Sequence, residues 1–336
     1  MNKTYMIIMG AALLALAACS RDEVKETAKE QAIDFRIAVD TRAEATTTDN
    51  IESFYVTAID GTGNLYFKDV MYSDTDNDDL FTTAYPFFWP ADGNLDFFAY
   101  SPGASTLGGT IAINKESQTL TSFTTASKIE DQVDFITAQA SGNKADNAAT
   151  GVALEFEHRL SQIEIRGRNT NTGYVYKIAG VKIGNVASQG DFDFATGEWD
   201  NITTPVNYTT EYDTAVTLDG TAQSIMGDEG NAMLIPQELT GWDNADDREN
   251  QNGGSFISVK VNVKTVSGMT VFPKNASTEY GWAAVSVSNT WEAGKHYIYT
   301  LDFTTGIGQA DPEEGGEDIL SGAIKFSMQT SVNTWN

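Results

Sequence analysis

The side chains best suited to catalysis are scarce in this sequence. Among 336 residues there are two histidines, His158 and His296, and one cysteine, Cys19. Neither a Gly-x-Ser-x-Gly nor a His-Glu-x-x-His motif is present. We therefore interpret both histidines as structural residues, and we predict that the protein is not an enzyme and needs no cofactor. Hydrolysis by two facing carboxylates stays an alternative, because such a pair has no fixed spacing in a sequence.

One acidic segment has the residue types of a calcium-binding loop. Asp74-Thr75-Asp76-Asn77-Asp78-Asp79 places alternating carboxylates close together, and Ca²⁺ prefers such oxygen ligands. The EF-hand pattern fails, however, since Asp79 stands where the turn glycine belongs and Tyr85 where the bidentate glutamate belongs. We predict a solvated hairpin tip here and no metal site.

The single cysteine ends an apolar N-terminal run. Lys3 precedes the run at residues 7–18, which Leu16-Ala17-Ala18-Cys19 closes. A run of about a dozen residues is short for a bilayer span and is typical of a signal-peptide core. The closing tetrapeptide resembles a bacterial lipobox, so we predict removal of residues 1–18 and attachment of lipid to Cys19. The alternative is an ordinary secretory signal that a cysteine happens to follow.

Composition narrows the class of partner. The chain has 47 acidic and 21 basic residues, a net charge of −26, which opposes binding to a phosphate backbone or an anionic membrane surface. We expect no nucleic-acid partner. One cysteine and two histidines also leave no material for a Cys/His zinc site or a disulfide framework. The hydrophobic share of 41% is ordinary for a folded protein.

The elements that must position these residues are β-strands. The first predicted strand, residues 33–39, alternates with apolar side chains at Ile33, Phe35, Ile37 and Val39. Clusters of Gly, Asn and Asp separate such runs, as hairpin turns require, and no window has an apolar stripe at helical spacing. Further strands are predicted at residues 54–59, 95–100, 133–137, 152–165, 181–183, 257–266, 283–287 and 297–303. This pattern predicts an all-β, mostly antiparallel protein of sandwich type.

We predict two such sandwiches in tandem. The order of an alternating strand, a second strand and a turn occurs near residue 33 and again after residue 152, and the small polar segment 140–150 between them is typical of a linker. The predicted parts are a signal peptide (1–18), a lipidated tether with a first strand (19–42), two sandwiches (43–148 and 149–305), an acidic Gly-rich linker (306–322) and a last strand (323–336).

The last strand has its own apolar pattern. Ile324, Phe326, Met328 and then Val332 lie on one face, and Trp335 is close to the end. A terminal strand after a hydrophilic connector can return to its own sheet or add to the sheet of another molecule, where backbone hydrogen bonds provide affinity. The residues alone leave both possibilities open.

Several short motifs are spread over nearly the whole chain. In chain order they are the lipobox at Cys19, Asp40-Thr41-Arg42-Ala43, Trp89-Pro90 with Phe97-Phe98-Ala99-Tyr100-Ser101-Pro102, Asp134-Phe135-Ile136-Thr137-Ala138, Leu154-Glu155-Phe156-Glu157-His158-Arg159-Leu160-Ser161-Gln162-Ile163, Met233-Leu234-Ile235-Pro236-Gln237, Trp291-Glu292-Ala293-Gly294-Lys295-His296-Tyr297-Ile298-Tyr299 and the terminal Ile-x-Phe…Trp. Each motif alone is a weak signal, whereas their shared order is fairly specific. Together they resemble the fimbrillin-like (Mfa-like) family of the Bacteroidetes.

The resemblance implies two transthyretin-like β-sandwich domains and a subunit of a type V pilus or a related surface adhesin. It also implies an outer-membrane lipoprotein precursor that an arginine-specific protease matures, here between Arg42 and Ala43, by removing the first strand. The exposed groove would then accept a strand from another pilin subunit, and the mature chain would reside in the fimbrium. Residues Ile324, Phe326, Met328, Val332 and Trp335 would form the donated strand.

Other interpretations remain open at this stage. The chain could be a non-polymerising surface lipoprotein that binds glycans or host proteins, and a pilus subunit could also bind a host or bacterial surface ligand through a loop such as 243–254. We assign Trp89, Trp242, Trp282 and Trp291 to core packing. Asp213-Thr214-Ala215 resembles an O-glycosylation acceptor of this phylum, with an unmodified loop as the alternative.

Overall fold

A computed structural model describes residues 31–38, 51–227, 230–243, 253–274, 277–306 and 308–314, with the backbone of two short strands at 325–326 and 333–334. The signal peptide, Cys19, Val39 and the Arg42–Ala43 bond lie outside the described residues, as do Ile324, Met328, Val332, Trp335 and the side chain of Phe326. Within the described ranges, no helix has the length and apolar character needed to cross a membrane.

The chain is built almost entirely from strands, which confirms the all-β prediction. Among the described residues the helices are α1 (Ala104–Leu107) and α2 (Lys144–Asn147), and 3-10 turns occur at Ile129–Asp131 and Phe303–Thr305. The strands in chain order are β1 (Phe35–Ile37), β2 (Ser53–Asp60), β3 (Leu65–Ser73), β4 (Leu95–Ser101), β5 (Thr110–Ile113), β6 (Gln118–Thr124), β7 (Ile136–Gly142), β8 (Val152–Leu154), β9 (Glu157–His158), β10 (Ser161–Arg168), β11 (Tyr174–Asp193), β12 (Trp199–Thr217), β13 (Gln223–Ser224), β14 (Ala232–Leu234), β15 (Glu238–Leu239), β16 (Phe256–Thr265), β17 (Thr270–Phe272), β18 (Gly281–Ser286), β19 (Asn289–Thr290), β20 (Lys295–Asp302), β21 (Gln309–Ala310), β22 (Lys325–Phe326) and β23 (Asn333–Thr334).

The first half of the chain forms two layers of unequal size. One is an antiparallel sheet in the order β3-β2-β4-β7-β9, and the other is the parallel pair β1-β8. Their facing side chains form one apolar core, in which Phe35 and Leu154 of the small layer pack with Phe54, Tyr72 and Phe97 of the large one. The small layer therefore covers a sheet face that would otherwise expose several aromatic rings to water.

The second half, together with β5 and β6, forms a larger sandwich. One sheet has the order β21-β18-β16-β11-β6-β5, with β12 on β11 and β17 on β16; the other has the order β13-β10-β20-β22, with β14 on β10 and β23 on β20. Alternate residues of both sheets, such as Ile163 and Tyr299 against Val181 and Val259, fill the core between them. Strand pairing also crosses the predicted boundary at residue 148, since β8 pairs with β1, β9 with β7, and β6 with β11. The division into two domains stays a prediction.

Several elements differ from the sequence-based expectation. The single strand expected at 152–165 is three strands, because its successive parts pair with β1, β7 and β20. The short strand expected at 181–183 is the centre of the 20-residue β11, which contains register shifts. The 19-residue β12 was not predicted, because most of its side chains are exposed and it lacks an apolar period.

Candidate functional site: the slot of the first strand

The first strand is hydrogen-bonded along both of its edges. On one side it pairs in parallel with β8, where the Ala38 amide donates to the Leu154 carbonyl at 2.8 Å and the Val152 amide donates to the Asp34 carbonyl at 2.9 Å. On the other side it meets residues 81–89. There the Phe35 and Phe81 amides each donate to the carbonyl of the other, at 3.1 and 2.7 Å. We call the groove between β8 and residues 81–89, with the sheet face beneath it, the slot.

The same wall continues toward the N-terminal end of the described strand. The Ile33 amide donates to the Phe87 carbonyl at 2.8 Å, and the Trp89 amide donates to the Gln31 carbonyl at 3.1 Å. Residues 81–89 form isolated β-bridges and not a continuous strand. Sequence alternation therefore did not predict that they would pair with the first strand. Removal of the strand would leave donors and acceptors unpaired on both walls.

The side chains of the first strand fill the floor of the slot. Ile33 and Phe35 are completely buried, while Arg36 between Phe35 and Ile37 is exposed. The Phe35 ring stands edge-on to Tyr72 and to Phe97, at centroid distances of 4.7 and 5.1 Å. The alternation in the sequence therefore corresponds to burial of one face, and each large apolar side chain contributes about 1.5–3 kcal/mol by leaving water.

Two polar atoms in the slot core have no partner among the described residues. They are Oη of Tyr72 and Nε1 of Trp89, although both side chains are buried. Burial, and then the nearby Asp34 carboxylate, raise the pKa of Tyr72, so the phenol keeps its proton. Burial also raises the pKa of Asp34. The core of the slot therefore contains two buried polar atoms that form no hydrogen bond with the described residues.

The end of the chain returns to the second sandwich. The backbone of β22 and β23 pairs antiparallel with β20, with Phe326 opposite Leu301 and Thr334 opposite Lys295. Since the other edge of β20 pairs with β10, this terminal segment lies at the edge of its sheet. Within one chain, the terminal backbone therefore covers the free edge of β20.

A buried ion pair anchors the chain just before this terminal segment. Lys182 Nζ lies 3.2 Å from a carboxylate oxygen of Asp311 and 3.3 Å from one of Glu314, and 4.8 Å from the ring centroid of Trp282. Burial raises the pKa of Asp311, but a hydrogen bond from Ser258, backbone amides and the Lys182 charge together lower it. The beginning of the linker expected to be solvated is therefore held against the sheet, because Asp311 has a cationic partner there.

Both histidines have carboxylate partners, and their assignment as structural residues stays a prediction. Nδ1 of His158 lies 2.7 Å from Asp134, and Nε2 of His296 lies 3.4 Å from Glu164. Burial of Glu164 opposes its ionisation, but hydrogen bonds from His296 and Arg166 outweigh that effect and lower its pKa to about 2.

Other residues singled out in the sequence are dispersed. Asp74, Asp76 and Asp78 each bring a carboxylate oxygen to within 4.8 Å of the others in a largely exposed loop. Thr214 is exposed on β12. The loop at 243–254 lies mostly outside the described residues. Trp89, Trp242 and Trp291 are buried as expected, whereas Trp282 is only partly buried.

Comparison with known proteins finds a matching family model and several similar solved structures. A family model described as fimbrillin-like matches residues 41–321. A candidate cell adhesion protein from Bacteroides uniformis is 17% identical, with 92% of this chain and 99% of that chain covered and a TM-score of 0.50. A second one, from Bacteroides ovatus, is 14% identical, with coverage of 82% and 93% and a TM-score of 0.47. No curated protein matches the chain.

Proposed function

Because this chain belongs to the fimbrillin-like family, we propose that it is a fimbrial subunit that assembles by exchange of β-strands. It is exported as a lipoprotein through Cys19, and an arginine-specific protease cuts it between Arg42 and Ala43. The first strand then leaves the slot, and the terminal strand of another subunit takes its place. Family membership supports a fimbrial subunit role at the cell surface; the maturation steps are the proposal.

The observation that carries the proposal is the double pairing of the first strand. Residues 31–38 provide the backbone partners of β8 and of residues 81–89, and they bury Ile33 and Phe35 completely. A segment in that position cannot leave without replacement, because the empty slot would expose apolar rings and unpaired backbone groups. After cleavage at Arg42 no covalent bond would hold it, so exchange becomes a competition between strands.

The terminal segment has a matching pattern. Ile33, Phe35 and Ile37 alternate in the first strand, and Ile324, Phe326 and Met328 alternate near the end of the chain. This correspondence predicts the register, with Phe326 of a second subunit in the pocket of Phe35. The donor would first have to leave the edge of its own β20, where Phe326 pairs with Leu301 and Thr334 with Lys295.

The experiment uses the full-length chain with Cys19→Ser, which blocks lipid attachment. Digestion with an arginine-specific protease should yield a chain that begins at Ala43, by N-terminal sequencing, and ladders of oligomers on mild gels. The Arg42→Gln variant should remain monomeric, while the matched Arg36→Gln variant should still be cut and assemble.

Two further measurements identify the strands. Deletion of residues 323–336 should abolish assembly without preventing cleavage, and a synthetic peptide of residues 31–40 should block assembly by refilling the slot. If the truncated chain still polymerises, the donor assignment is wrong. If cleaved chains that keep residues 323–336 remain monomeric, the alternative of a non-polymerising surface lipoprotein is favoured.

A further inference from the structure

A cleft lies where β9 joins β10, bordered by the turn between β11 and β12 and by the segments around β15 and β19. It encloses about 500 Å³, within the usual range of about 300–1,000 Å³ for small-molecule sites. The residues that matter for its chemistry are Arg159, Glu198, Trp199, Glu238 and Glu292. We propose that this cleft binds a neutral carbohydrate.

Arg159 is a pre-positioned hydrogen-bond donor in the wall of this cleft. Its Nε donates to Oγ1 of Thr137 at 2.6 Å, its Nη2 lies 2.7 Å from a carboxylate oxygen of Glu157, and its guanidinium carbon lies 5.6 Å from the ring centroid of Phe192. Nη1 has no acceptor among the described residues. Gly197, whose φ of +76° favours glycine, packs against this guanidinium, since a Cβ atom there would lie 2.9 Å from Nη1.

Trp199 is an equally rigid aromatic wall. Its Nε1 donates to the Arg159 carbonyl at 2.6 Å, and its ring packs against Phe123 and Phe192 at centroid distances of 5.2 and 5.3 Å. The side chain nevertheless remains partly exposed where it lines the cleft. The C–H face of a sugar ring can pack against a partly exposed indole. Because this indole is already held in one orientation, its side chain loses little entropy when a sugar binds.

The charges around the cleft disfavour an anionic ligand. Glu198, Glu238 and Glu292 are exposed along it, in a protein of net charge −26, and they disfavour an anion. The hydroxyl groups of a neutral sugar can donate to the carboxylates and accept from Arg159, so they satisfy both kinds of group.

The binding test uses the full-length chain with Cys19→Ser and Arg42→Gln, so that neither lipid nor assembly contributes. An array of neutral oligosaccharides is followed by titration calorimetry with maltotriose, mannotriose and N-acetyllactosamine, with sialyllactose as the acidic probe and trilysine as the cationic probe. At least one neutral sugar should bind saturably and about tenfold more tightly than both charged probes.

Variants connect the binding to this cleft. Trp199→Ala and Glu238→Gln should each weaken the sugar about tenfold or more, whereas Glu130→Gln, an exposed acid paired with Lys128 elsewhere, should change nothing. Circular dichroism shows whether each variant is folded. If Trp199→Ala does not fold, the Glu238→Gln variant alone tests the proposal. Absence of binding across the neutral array, tighter binding of a charged probe, or unchanged binding by Glu238→Gln overturns the proposal. None of these outcomes depends on strand exchange, because no cleft residue belongs to residues 31–38 or 324–335.

Discussion

Replacement of one buried ring offers the most direct test of the slot. Phe35 is completely buried, with edge-on contacts to Tyr72 and Phe97. Truncation of a buried phenylalanine to alanine costs about 3–5 kcal/mol, since transfer from water and packing are both lost. We expect Phe35→Ala to lower the free energy of unfolding by about 4 kcal/mol. Arg36→Ala, the adjacent exposed residue, should change it by less than about 0.5 kcal/mol.

The assay is urea denaturation of the uncut chain in an Arg42→Gln background, monitored by tryptophan fluorescence. In the cut chain the first strand is held by noncovalent contacts alone, so Phe35→Ala should weaken its association with the slot. A loss of about 4 kcal/mol corresponds to about a 10³-fold weaker association. A labelled peptide of residues 31–40 should therefore bind the chain that begins at Ala43 about 10³-fold more tightly than its Phe35→Ala counterpart. If Phe35→Ala destabilises the uncut chain no more than Arg36→Ala does, and if the two peptides bind equally well, the interpretation of the first strand as a packed plug is refuted.

Three further predictions concern polar groups. Asp311→Asn should cost about 3 kcal/mol in urea denaturation because it leaves Lys182 buried without its nearest charge, whereas Glu314→Gln, whose side chain is 52% exposed, should cost less than about 1 kcal/mol. The pKa of Glu164 is lowered from 4.5 to about 2 in the folded state, so its contribution is complete above pH 4.5 and is lost as the pH falls toward 2; Glu164→Gln should flatten the stability curve in that window. Tyr72→Phe should raise the melting temperature, with a gain of about 1 kcal/mol, since it removes a buried hydroxyl that lacks a partner among the described residues; a lower melting temperature would mean that the hydroxyl is satisfied.

Local alternation was a good guide wherever a strand has one buried and one exposed face. It located β2, β4, β16 and β20 to within a few residues, and it identified Ile33 and Phe35 as inward-facing. It failed for β12, whose side chains are mostly solvated and whose existence depends on pairing with β11. A strand that forms mainly through backbone pairing with a neighbour need not show apolar alternation in its own sequence.

The candidate sites followed the same division. Asp311 was expected in a solvated acidic segment, yet it is completely buried because Lys182, far away in sequence, provides a compensating charge. Trp199 was not predicted to be a site residue, because nothing near it in sequence indicates that Arg159 is its neighbour. A single sequence records the types of these residues but not the loops that bring them together.

The sequence by itself determined that this chain is a β-protein of the fimbrillin-like type, with apolar alternation in its first and last strands, because periodicity and motif order are properties of residues close along the chain. The tertiary structure alone decided that the first strand lies between β8 and residues 81–89, paired on both edges, and that four separate segments line the cleft to which Trp199 belongs. The reason is physical: alternation reports which face of a strand is buried, whereas its hydrogen-bond partners depend on contacts between residues far apart, such as Phe35 and Val152.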